Sequence, residues 1–185
     1  MAGPEIQADD SQLLASLAMA MVEHPRGTLM ELARAVGISK ATLYRYCQTR
    51  DALVTRLMVH SMSLLSQAMH RAALDSSPPL EALGRLNANY LEHRELITFL
   101  MYFRREKYAA QDANKASEWE LRLDGFFLRG QREGVFRIDI PAAGLTELWA
   151  ATMIGLVDAE RRGRIARAGL AGVIEQAFLE GVCAR

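Results

Sequence analysis

From Ser39 to Arg50 the chain carries three cations, Lys40, Arg45 and Arg50, and no acid. Lysine and arginine reach guanine edges or phosphates. The hydroxyls of Ser39, Thr42 and Tyr44 reach phosphates, and Ala41 leaves room for a base methyl group. Leu43 and Cys47 stand four residues apart, so on a helix they share one face and are expected to pack inward. Lys40, Ala41, Thr42, Tyr44 and Arg45 are then expected to face outward, at least in part. That is the chemistry of a helix that reads double-stranded DNA. Other chemistry finds no support. There is no nucleophile–base pair, no phosphate-cradling glycine loop and no metal-ligand spacing. His24, His60, His70 and His93 pair with neither cysteines nor carboxylates at ligand spacing. No catalytic residue, metal or cofactor is expected.

The elements that must hold this helix are legible around it. Leu13, Leu14, Leu17, Met21 and Val22 recur at three- and four-residue spacing, which predicts a first helix over about 6–24. Pro25-Arg-Gly27 ends it. Thr28-Leu-Met-Glu31 has the form of a capping box and opens a short second helix through Val36. Gly37 supplies the residue free to take positive φ in a tight turn, and the small Ala33 lets the two helices approach. Ser39 caps the third helix, to about Cys47, and Thr49 caps a long fourth helix to about Leu74. Val36, Ile38 and Leu43 form the small core that fixes the crossing angle. The helix starts at Thr28 and Thr49 are each expected to offer free N–H groups to a phosphate, with Arg50 beside the second.

The run from Thr28 to Leu53 resembles the DNA-binding domain of the tetracycline-repressor (TetR) family. The capped helix, the alanine, the glycine turn, Thr42-Leu-Tyr44 and the helix starting Arg50-Asp-Ala-Leu53 carry the likeness, which is strong over about residues 10–57. Farther on, Arg132-Glu-Gly-Val-Phe-Arg137 followed by Pro141 and two long helices follows the family plan. In this family an aromatic residue usually stands where this chain has Cys47, which leaves Tyr46 or its neighbours to fill that space. The resemblance implies a dimeric transcription regulator that binds a palindromic DNA operator, most often as a repressor. It also implies a C-terminal helical domain that takes a small-molecule effector and moves the fourth helix. The alternative is a helical adaptor of the same fold that has lost DNA binding. The implied domains are 1–48, which reads DNA, and 49–185, which binds ligand and dimerises, with the helix over 49–75 connecting them.

The whole chain sets the outer limits. It has 185 residues, 50% of them apolar and 24% charged, enough for a core without disulfides or structural metals. Disordered, collagen-like and disulfide-scaffold chains are excluded. The 22 Lys and Arg balance the 22 Asp and Glu, which excludes a globally basic nucleic-acid coat but leaves a local patch possible. No apolar run is long enough for a membrane helix. Two unpaired cysteines and no secretory leader point to the cytoplasm. Cys47 is expected to be a packing residue rather than a redox switch.

Helix formers dominate and β alternation is nearly absent, so the chain is all-α, with about nine helices. Behind Ser76-Ser-Pro-Pro79 the expected helices cover about 79–92, 94–109 and 112–133, then 141–161 and 167–183. Aromatic residues and methionines suited to line a ligand pocket are Met62, Met69 and Tyr90, then Phe99, Tyr102 and Phe103, and finally Trp119, Phe126 and Trp149. The last two helices carry more apolar surface than one core needs. Leu148, Thr152, Gly155, Leu156 and Ala159, with Val173, Ile174, Ala177 and Phe178, are the expected contact of a homodimer.

Overall fold

The computed structural model describes residues 8–108 and 117–183. Among the described residues there are nine helices and no strand: α1 (Ala8–Glu23), α2 (Leu29–Ala35), α3 (Lys40–Tyr46), α4 (Arg50–Arg71), α5 (Pro79–Leu91), α6 (Arg94–Tyr108), α7 (Glu118–Arg132), α8 (Ala142–Arg161) and α9 (Leu170–Val182). The expected starts of the first helix at residue 6 and of the seventh at 112 lie outside the described residues. At Ser117, however, the backbone is extended, and its N–H and hydroxyl both donate to the Glu120 carboxylate, so α7 starts there. The fourth helix stops at Arg71, short of Leu74, because Ala73 turns to φ 54°. Gly169 at φ 88° delays the last helix to Leu170.

The described residues fall into two compact units, one within Met1–Leu64 and Glu95–Tyr108, the other within Leu65–Arg94 and Ala109–Arg185. In the first unit α2 packs on α1 and on α3. Leu14, Leu17 and Met21 of α1, Leu32 of α2, Leu43 of α3 and Leu53 and Leu57 of α4 are fully buried. Phe99 and Phe103 of α6 stack with ring centroids 4.8 Å apart.

In the second unit α8 packs on α7 and α9, and α5 packs on both α7 and α9. Phe126, Phe127, Phe136 and Phe178 form a chain of ring contacts, with neighbouring centroids 5.0–5.8 Å apart. Phe136 lies in the short 135–140 segment, which pairs as an isolated antiparallel bridge with Cys183. The ring sits directly over Gly130 of α7, where an added Cβ would fall inside contact distance of two ring carbons. In most helix interiors Gly→Ala stabilises by about 1 kcal/mol. Here the clash decides the sign. Gly130→Ala is expected to destabilise the protein by about 1–3 kcal/mol, read by calorimetric melting. A rise in melting temperature would contradict this packing.

Candidate nucleic-acid interface

Each end of the short helix α2 is fixed by local chemistry. The Glu31 N–H donates to Thr28 Oγ1 at 3.3 Å, and the Thr28 N–H and hydroxyl donate to the Glu31 carboxylate at 2.7 and 2.9 Å. These bonds hold the Glu31 carboxyl below the usual carboxylate range, the Thr28 backbone N–H contributing most. The cap therefore strengthens above the unfolded carboxyl pKa and fades as pH falls through the lowered one. Thr28→Ala is expected to lower stability by about 1 kcal/mol at neutral pH, with a smaller loss in acid. An equal loss at both pH values would contradict the carboxylate's part in the cap.

At Thr28, where a phosphate contact is expected, the Glu31 carboxylate shares the start of α2, and a phosphate bound there would face that charge. At the far end Gly37 turns at φ 74°, in open space, so the turn needs glycine for its backbone and not for room. The Ile38 N–H returns to the Ala33 carbonyl at 2.9 Å and locks the turn.

Ser39 starts α3 by accepting the Thr42 N–H at 3.0 Å, and the two hydroxyls bond each other at 2.8 Å. Leu43 is fully buried and Cys47 nearly so, which sets the rotation of the helix. Lys40, Ala41, Tyr44 and Arg45 are exposed, and Thr42 is half-buried. The Lys40 ammonium lies 5.2 Å from the Tyr44 ring centroid, so cation and phenol form one polar ridge. Thr49 is exposed, and its hydroxyl accepts the Ala52 N–H at 3.1 Å.

Arg50 is placed differently from its neighbours. Its guanidinium donates to the Pro25 carbonyl and lies over the Phe103 ring, centroid at 5.7 Å. It is half-buried and already engaged.

The space under α3 is filled from α4 and α1. Arg56 donates to the Tyr46 carbonyl at 3.2 Å and lies 5.0 Å from the Tyr46 ring centroid, and the Tyr46 phenol donates to the Asp10 carboxylate. That bond raises the Tyr46 phenol above its ordinary pKa. Burial pushes the Cys47 thiol up as well, away from the reactive thiolate. Tyr46 fills this space as expected from the sequence, but its partners Asp10 and Arg56 are not legible there, since they lie 36 and 10 residues away. Arg26, just before α2, and Arg34, on it, are exposed. They share a surface hollow of 680 Å³ with His24, Gly27 and Glu31.

The expected pocket residues are divided between the units. In the first, Phe99 and Phe103 are buried, whereas Met62 and Tyr102 are exposed, since they lie on the outward sides of α4 and α6. In the second, Met69, Tyr90, Phe126 and Trp149 are buried and Trp119 is half-buried. Tyr90 meets Trp149 edge-on at 5.1 Å, and the Trp149 indole N–H donates to Asn87 Oδ1 at 2.8 Å. Phe126 packs instead with Phe127 and Phe136.

Of the expected dimer residues, Leu148, Gly155, Val173 and Ala177 are exposed, and Thr152, Leu156 and Ala159 are half-buried. Ile174 and Phe178 are corrections. They are buried inside their own unit, on the inward side of α9, and have no surface left for a partner.

A capped helix, a glycine turn and a second helix with a basic outer ridge define a helix-turn-helix transcription regulator. A family profile described as the IclR helix-turn-helix domain matches residues 19–49. That stretch holds only the end of α1, α2, the turn and α3. The chain is 48% identical over 175 residues to the HTH-type transcriptional regulator NfxB of Pseudomonas aeruginosa, which covers 93% of each chain. Solved structures alike in form include LfrR from Mycobacterium smegmatis in complex with proflavine, with TM-score 0.65, 24% identity and 95% and 98% of the two chains covered. They also include the ketosteroid regulator KstR2 of Mycobacterium tuberculosis, with TM-score 0.72, 20% identity and 100% and 99% covered. The chain belongs to the TetR-like family of helix-turn-helix transcriptional regulators. Among the described residues, no helix is long and apolar enough to cross a membrane.

Proposed function

We propose that the protein is a cytoplasmic, homodimeric repressor whose two α3 helices read a palindromic operator and let go when a small molecule binds. The observation that carries this is the ridge of Lys40, Ala41, Tyr44 and Arg45, held outward by buried Leu43 and Cys47. Ser39, Thr42 and Thr49 flank the ridge as phosphate contacts. The reading domain is taken as 1–48 and the effector and dimer domain as 49–185. Leu148, Thr152, Gly155, Leu156 and Ala159 of α8, with Val173 and Ala177 of α9, form the two-fold contact.

The effector is expected against apolar and aromatic walls, with Met69, Tyr90, Trp119 and Trp149 as lining in the second unit. Planar aromatic cations are the first probes, because the similarly folded LfrR was solved in complex with proflavine. The test is operator-bound protein titrated with proflavine and a panel of apolar metabolites, read by fluorescence anisotropy of labelled duplex. Release by one compound, weakened by Trp149→Phe, supports an effector site. Release that tracks only the compound's own intercalation into DNA without protein contradicts it.

A further inference from the structure

We infer that Arg50 is a positioning residue, which ties the DNA-reading helices to α6 through Phe103, rather than a ligand of the DNA backbone. This rests on α3 being the reading helix. Arg50 is the first residue of α4, Pro25 lies in the link between α1 and α2, and Phe103 lies on α6. One guanidinium joins all three. Its Nη2 donates to the Pro25 carbonyl, its Cζ lies over the Phe103 ring, and its Nε is enclosed with no partner among the described residues. To reach a phosphate the side chain would have to leave both contacts. Lysine is a poor replacement, because it lacks the planar fork that spreads donors and ring contact over separate atoms.

Phe103 is itself fixed, since it is buried and stacked at 4.8 Å on Phe99, one turn earlier on α6. A shift of α6 at Phe103 therefore reaches the link between α1 and α2 through a single side chain. Farther along α4, Arg56 holds the end of α3 through the Tyr46 carbonyl and ring. Two arginines of one helix thus hold the two ends of the helix-turn-helix.

Phe103→Leu removes the ring, and Arg50→Gln removes the charge and the fork. The probe is the duplex that the wild-type protein enriches from a random-sequence library, titrated at several salt concentrations. Each variant is expected to bind about five- to tenfold more weakly with the salt slope unchanged, and the double variant hardly more weakly than either, as for coupled neighbours. Were Arg50 a phosphate ligand, its removal would instead lower the slope by about 0.9 for each phosphate it neutralises.

Without DNA, amide exchange over residues 24–36 is expected to be several-fold faster in Phe103→Leu and to return to the wild-type rate in Phe103→Tyr, which keeps the ring. If Phe103→Leu does not fold, Phe103→Met replaces it at similar volume. A slope reduced by about 0.9 per phosphate in Arg50→Gln overturns the inference. So does exchange unchanged by removal of the Phe103 ring. A wild-type protein that enriches no duplex would sink the DNA-reading assignment, while the exchange comparison would still decide the link from Phe103 to the head.

Discussion

An Arg45→Ala variant is expected to lose about 1–3 kcal/mol of operator binding per half-site, roughly ten- to a hundredfold, if the guanidinium reads a base edge. Folding stability should change by no more than about 0.5 kcal/mol, because the side chain is exposed. The loss follows from the packing of α3. Leu43 and Cys47 fix its inner face, so Arg45 is carried on the outer one with Lys40 and Tyr44. The manner of the loss says which group Arg45 touches. If Arg45 reads a base, the sequence selected by the variant relaxes at one position while the salt slope holds. If it binds a phosphate, affinity falls alike for all sequences and the slope drops by about 0.9 per phosphate. Undiminished affinity with a folded variant would remove Arg45 from the interface.

The second large effect concerns assembly. Leu148 and Val173 are 44% and 47% exposed, on the outward sides of the adjacent helices α8 and α9. At a two-fold axis each face meets its own copy, so one new carboxylate meets another. Leu148→Glu combined with Val173→Glu is expected to yield a folded monomer in sedimentation experiments. Operator affinity should then fall by about 10²–10⁴-fold, since each head binds without the avidity of its twin. A dimer that persists would place the two-fold contact elsewhere. The contrast is Phe178→Ala, which removes a core ring and is expected to cost about 3–5 kcal/mol of folding stability.

The front of the molecule was legible because its signals are local. Thr28 with Glu31, Gly37, and Ser39 with Thr42 each lie within a few residues, and each states its own geometry. The inward pair Leu43 and Cys47 follows from helical spacing alone. What was hidden depends on distant partners. Nothing near Arg50 in sequence announces its contacts with Pro25 and Phe103, so its charge alone suggests a phosphate. At Thr28 the capping box is legible, and the sequence does not say that its own carboxylate takes both the N–H and the hydroxyl of that residue. On α9 the apolar residues form a stripe too wide for one partner, and sequence does not say which edge turns inward. Ile174 and Phe178 do, whereas Val173 and Ala177 do not. The pocket residues stand out by type, and type alone does not separate a ring that lines a cavity from one that packs, as Phe126 does.

The most direct test is selection of a random-sequence duplex library with the purified protein, followed by titration of the enriched duplex across salt concentrations. A palindrome is predicted, with half-sites about one helical turn apart or a multiple of it, and with affinity falling steeply as salt rises. Protein refolded after denaturation, and so freed of any copurified effector, that is dimeric and helical but enriches no sequence at low salt would contradict α3 as a DNA-reading helix.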